Sequence, residues 1–351
     1  MITLESEEND RILWVDWAKA LATLAIVLIH VSAVYTVSTP AFSSDWYSFV
    51  NFNTFDRFGI MLFLFASGFL ILRKPEPITN LTKRFKRLLP PFLFWFTVYA
   101  LVAWSLFHSE ESISWFFPFY LRGLLDPTGF FSTFWFVYLI LGLYLIAPVL
   151  SKWIQGAKVY ELEYFLVICF IFWAITFISE ITSFPITFTS YFQYFGQGIG
   201  SFVLGYYIAI KNSRYTKSKK FGFKLYIVGV LFTYLGAIII AEMTGKPSTL
   251  TNLSPTIAIQ TVGLFIILKN INFEKKPKVL NSMAISLSNN SYEFYLIQIP
   301  IIWTVTILLR PWNVNPLVKI LVMFLTTVLI ITLLLKVLKK VPYLNTIVWS
   351  R

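Results

Sequence analysis

Lys19 and His30 are separated by ten residues, none of them charged, in WVDWAKALATLAIVLIHVSAVY. On an α-helix an eleven-residue step turns roughly 1100°, about 20° past three full turns, so both side chains share one face. The rise between them is about 16 Å, half of a hydrocarbon core roughly 30 Å thick. An imidazole held there can exchange a proton within the membrane. Polar groups are costly inside an apolar span and commonly line a functional cavity. The plainer reading is an imidazole that only hydrogen-bonds across helices. The other histidine, His108, falls in a connecting segment.

Three further segments carry candidate chemistry. In RKPEPITNLTKRFKRLLPPF, Arg84 and Arg87 stand three apart and share a helix face, with Lys83 and Lys86 adding positive field. Arginine presents a planar fork suited to phosphate oxygens; the alternative is ordinary positive-inside decoration. In NFNTFDRFGIMLFLFASGFLILRK, Asp56 and Arg57 precede an apolar run. Arg57 could clamp a developing negative charge or simply pair with Asp56, whereas Ser67-Gly68 reads as a site of close helix approach. In FWFVYLILGLYLIAP, Trp135, Tyr138 and Tyr144 read more readily as belt or packing residues than as chemistry. Asp16, three before Lys19, can pair with it along the helix.

The elements that must hold these residues are transmembrane helices. Of 351 residues, 57% are hydrophobic and 13% charged, half the charge of an average soluble domain. The lone Cys169 lies in an apolar run and cannot form an intramolecular disulfide. The acidic start, MITLESEENDR, is unlike the basic head of a cleaved signal peptide, so the first span is expected to be retained. Apolar runs of spanning length lie near 14–37, 56–72, 88–107, 132–150, 162–179, 192–210, 223–241, 254–269, 284–309 and 317–336. The expectation is an all-α polytopic membrane protein of about ten helices, one integral domain over 1–351. With the N-terminus inside, 24 of the 29 Lys and Arg face the cytoplasm and five face out: Arg57, Arg122, Lys246, Arg310 and Lys319. Both termini are therefore expected in the cytoplasm of a cell-membrane protein. The net charge of +12 is spread over short loop clusters, which argues against nucleic acid. The long outer connection 108–131 reads as an interfacial or re-entrant segment, or as an aromatic anchor.

Taken in order, these motifs resemble the acyltransferase family 3 membrane proteins. The resemblance rests on a basic residue, ten residues and a histidine (Lys19, His30), then R-x-x-R (Arg84, Arg87). It extends through DRFGIMLFLFASGFLI, FWFVYLILGLYLIAPVL and NNSYEFYLIQIPII. Three departures stand out: Lys19 where many members have arginine, Met61 near the usual proline, and Gln298 in place of a late-span histidine. The family implies transfer of acyl groups, commonly acetyl from acetyl-CoA, to hydroxyls of cell-surface glycans or lipid-linked precursors. Length and short tails most resemble the branch acting on enterobacterial common antigen and intercellular adhesin polysaccharide.

The resemblance assigns His30 as base, Lys19 as donor-side positioner and Arg57 as oxyanion or acceptor clamp. Arg84, Arg87 and Lys83 are assigned to the phosphates of acyl-CoA, and no metal is expected. The partners expected are the bilayer, acyl-CoA and a glycan or lipid-linked sugar acceptor; a homo-oligomer is left open. The rival reading is a transporter or exporter of a small molecule or glycan intermediate. Few mid-membrane carboxylates serve it, since Glu180, Glu242 and Glu293 all fall near span ends.

Overall fold

The computed structural model describes residues 11–36, 39–108, 110–182, 198–245, 253–312 and 314–341. Among them all regular structure is helical, as the apolar periodicity requires in a solvent that offers the backbone no hydrogen bonds. The helices are α1 (Leu13–Thr36), α2 (Ser44–Phe55), α3 (Gly59–Leu72), α4 (Asn80–Phe107), α5 (Phe116–Leu125), α6 (Trp135–Gly156) and α7 (Val159–Thr182). They continue as α8 (Gly200–Ile210), α9 (Lys219–Thr244), α10 (Pro255–Lys269), α11 (Lys278–Asn289), α12 (Ser291–Leu309) and α13 (Pro316–Leu338). Eight stretches among the described residues are long and apolar enough to cross a membrane, and α8 and α10 are shorter apolar helices. The protein is an all-α polytopic membrane protein.

α1 is the hub. It packs against α2, α3, α10, α11, α12 and α13. Most of the stretch Ser44–Leu72 is buried, whereas α7 buries only Leu162, Cys169 and Trp173 among its described residues and faces outward. Without a hydrophobic force between helices in lipid, close packing relies on small residues. A Cβ on Gly68 would stand 2.1 Å from the Phe202 carbonyl oxygen, and one on Gly205 would stand 2.3 Å from the Phe65 Cα, so α3 and α8 meet backbone to backbone. The packing role expected of Ser67-Gly68 is what the structure shows.

Two sequence boundaries shift. The run 284–309 is not one span: α11 ends at Asn289, and α12 begins at Ser291 across Asn290. α11 buries Ala284 and Ser288 and exposes Val279, Leu280 and Met283. Its continuous hydropathy hides a polar face that ties back to α1. The second shift is α2, which precedes the expected 56–72 span and buries Asn53 and Thr54. In the 108–131 connection, α5 folds back on α4, with Tyr120 edge-on to Phe96 and Phe119 against His108.

Candidate active site

His30 sits in the last third of α1, half-buried. Its Nδ1 lies 2.8 Å from the Ile26 carbonyl oxygen, one turn back. A carbonyl can only accept, so Nδ1 carries the hydrogen and the neutral ring presents Nε2 as its acceptor nitrogen. The Gln298 side chain of α12 reaches the ring. Gln298 is 1% exposed; its Nε2 donates to the Tyr295 carbonyl at 3.3 Å, and its Oε1 has no donor among the described residues. Gln298 thus stands beside His30.

Arg57 is near enough to act on His30 electrostatically. Its Nη1 donates to Asn53 Oδ1 at 2.5 Å, and Asn53 Nδ2 donates to Ser32 Oγ at 3.2 Å. α2 therefore anchors the guanidinium to α1, two residues past the histidine. Asp56 is 3% exposed, and neither of its carboxylate oxygens has a hydrogen-bond donor among the described residues. Arg57 and Asp56 thus attract by charge rather than by a fork. His30, Arg57 and Gln298 are brought together; Asn53 and Gln298 are the members that motif reasoning did not assign.

The basic cluster gathers at the other end of α1. Lys19 Nζ lies 5.8 Å from the Phe63 ring centroid, and Asp16, Arg11, Arg84 and Arg87 all act on it electrostatically. The Asp16–Lys19 pair expected along the helix does not form. Asp16 instead accepts from Arg11 Nε and Nη2 at 2.6 and 3.0 Å and from Ser288 Oγ at 2.7 Å. The Arg11 guanidinium offers the carboxylate a fork that the Lys19 ammonium cannot.

Arg84 and Arg87 lie on α4, which starts at Asn80, well before the expected span. Arg84 donates from Nε (2.9 Å) and Nη2 (2.8 Å) to Glu76 Oε1 and lies 5.0 Å from the Tyr144 ring centroid. Glu76 is itself fixed by a Ser151 hydroxyl accepting from its backbone N–H at 2.8 Å. Lys83 and Arg87 are exposed. A loop acid such as Glu76 looks solvated in sequence, yet it is 4% exposed.

A line of contacts joins the two clusters. Phe63, next to Lys19, meets Phe136 edge-on at 5.7 Å, and Phe136 meets Tyr295 at 5.4 Å. Tyr295 accepts from Gln298, which reaches His30. The proton-exchanging group and the cations are thus at opposite ends of an aromatic seam. Among the described residues no group of His, Cys, Asp and Glu is arranged to hold a metal.

The model of the acyltransferase domain matches residues 12–336, from the turn before α1 to the last turn of α13. No curated protein and no solved structure matches the chain. The matched span takes in His30, Lys19, Arg57, Arg84, Arg87 and Gln298, and the chain belongs to the acyltransferase family 3 of integral membrane proteins.

Proposed function

We propose that the protein moves an acyl group, acetyl in the first instance, from acyl-CoA to a hydroxyl of a cell-surface polysaccharide or lipid-linked sugar. The observation that carries this reading is the His30 tautomer. With Nδ1–H committed to Ile26, Nε2 is the basic nitrogen, in a cluster whose other members are Gln298 and the Arg57 guanidinium.

In the proposed reaction His30 Nε2 takes the proton of the acceptor hydroxyl as its oxygen attacks the thioester carbonyl. The imidazolium so formed donates to Gln298 Oε1, the buried acceptor without a donor. Arg57, held by Asn53, faces the negative charge that develops on the carbonyl oxygen. The C–S bond breaks, and the departing thiolate takes the proton back from His30, leaving ester, CoA and neutral imidazole.

Cations at the Lys19 end attract the donor's phosphates: Arg87 and Lys83 from exposed positions, Arg84 from its place beside Glu76. The pantetheine arm then follows the Phe63–Phe136–Tyr295 seam toward His30. The positive-inside count supports a cytoplasmic position for this basic end and for both termini.

The test is purified protein with radiolabelled acetyl-CoA and membrane glycans. The expected result is label on the glycan with stoichiometric release of CoA, lost in His30→Ala. Equal acetyl-CoA consumption by wild type and His30→Ala would falsify the role of His30. Movement of glycan across vesicles without CoA release would make the protein a transporter.

A further inference from the structure

A cavity of about 240 Å³ opens at the basic end between the start of α1, the end of α3 and the end of α11, lined among others by Arg11, Asp16, Lys19, Arg73 and Asn289. Clefts that take a drug-sized ligand run to roughly 300–1,000 Å³, so this one accommodates a charged fragment rather than a whole nucleotide. Its charges are not equivalent. Asp16 is saturated by Arg11 and Ser288, and Arg11 also donates to Asn289 Oδ1 at 2.8 Å, so these residues form a neutral, fixed wall.

Lys19 and Arg73 are left. Neither forms an ion pair with any described residue; Asp16 attracts the Lys19 ammonium from a distance, and Arg84, Arg87 and Arg11 oppose it. Two half-buried cations thus line one small cavity, a positive lining that an anion would neutralise. Arginine supplies a fork for two phosphate oxygens, and lysine a point charge for a third. The contrast with Arg84 is direct, because the Nε and Nη2 of Arg84 already meet Glu76.

We propose that this cavity binds a diphosphate group, with Arg73 and Lys19 as its ligands, and that the diphosphate is that of the soluble acyl-CoA donor. This deepens, and rests on, the donor assignment made above. It gives Arg73, which no motif singles out, the contact otherwise expected of Arg84. Lys19 lies on α1 below His30, so a donor held there starts its arm at the foot of the seam beside Phe63.

The experiment measures binding rather than turnover, by calorimetry on full-length protein in zwitterionic lipid nanodiscs, with desulfo-CoA as probe. Wild type is expected to bind it, and inorganic pyrophosphate to compete. Arg73→Gln should weaken binding by at least roughly tenfold, the loss expected for a charge-assisted pair. Arg73→Lys should recover part of it, and Lys152→Gln, an exposed change outside the cavity, should not alter it. Dephospho-CoA, which keeps the diphosphate but lacks the 3′-phosphate, should show the same dependence on Arg73. Unchanged binding in Arg73→Gln, or no competition by pyrophosphate in wild type, overturns the site. A dependence on Arg73 that vanishes with dephospho-CoA moves it to the 3′-phosphate and overturns the diphosphate assignment. If farnesyl diphosphate binds through Arg73 and desulfo-CoA does not, the diphosphate site stands and the acyl-CoA reading above fails.

Discussion

The two ends of α1 hold the polar groups of this protein in opposite ways. Around His30 they are buried or half-buried and tied by hydrogen bonds to the backbone or to amides, among them Nδ1 to Ile26, Arg57 to Asn53 and Gln298 to Tyr295. Around Lys19 they are many and ionisable, and some already meet carboxylates, as Arg11 does Asp16 and Arg84 does Glu76. Neutral hydrogen bonds fix an orientation without neutralising the group, which is what a base and an oxyanion donor need. Ion pairs near water exchange readily for another anion, which is what a binding mouth needs. The difference predicts that substitutions at the His30 end act on kcat and those at the Lys19 end on donor KM or on stability.

The sharpest way to break that division is His30→Ala. A general base contributes roughly 10²–10⁴-fold, so kcat should fall by that factor while binding of desulfo-CoA stays unchanged. A parallel loss of binding would join the two ends into one site. Next is Arg57→Gln, for which loss of an oxyanion donor predicts about a 10²-fold fall in kcat. Asn53→Leu should produce part of that loss through Arg57, and the double variant should lose little more than Arg57→Gln alone. Additive losses would show that Asn53 acts independently of the guanidinium. Gln298→Leu removes the acceptor offered to the imidazolium and should cost roughly tenfold in kcat, with Gln298→His restoring activity.

At the other end, two arginines on one helix should separate. Arg87→Glu inverts an exposed charge in the donor's path and should raise KM severalfold at low salt, an effect that shrinks as salt screens it. Arg84→Gln leaves Glu76, whose side chain is 5% exposed, without its cation and should lower thermal stability by about 1–3 kcal/mol. If Arg84→Gln instead raised KM without touching stability, Glu76 would be a placeholder for donor phosphate.

How much of this was legible follows from what periodicity encodes. The shared face of Lys19 and His30, the membrane spans and the tight seam at Gly68 are local properties, fixed by helical geometry and side-chain size. The residues beside His30 are not. Gln298 lies 268 positions away on α12, and which helix face turns toward α1 depends on rotations that no single helix specifies. Asn53 escapes a sequence reading because SDWYSFVNFNTF is too polar to register as a span, although one face of α2, Asn53 included, is buried. Glu293 lies at a span end, in the first turn of α12, as expected, but its complete burial there depends on neighbouring helices. Glu76 and Ser151 meet across 75 residues, and sequence offers only two ordinary loop and helix-end side chains.

The smallest expected effect tests whether α11 belongs to the Lys19 end as wall or as machinery. Asn281 Oδ1 accepts from Trp17 Nε1 at 2.9 Å, and its Nδ2 donates to the Phe273 carbonyl at 2.9 Å, so one side chain pins α11 to α1. Trp17 also stacks on Phe273 at 4.9 Å, which keeps the contact in place when the amide is removed. Asn281→Ala should therefore cost about 0.5–1.5 kcal/mol, the net value of a hydrogen bond, seen as a modest fall in melting temperature. kcat should not move, because Asn281 touches nothing at the His30 end. KM should not move either, since Arg11, Asp16, Ser288 and Asn289 hold the other end of α11 against α1. A rise in donor KM with unchanged stability would mean that α11 shifts during donor entry. The basic mouth would then be a moving part rather than the fixed counterpart of the His30 cluster.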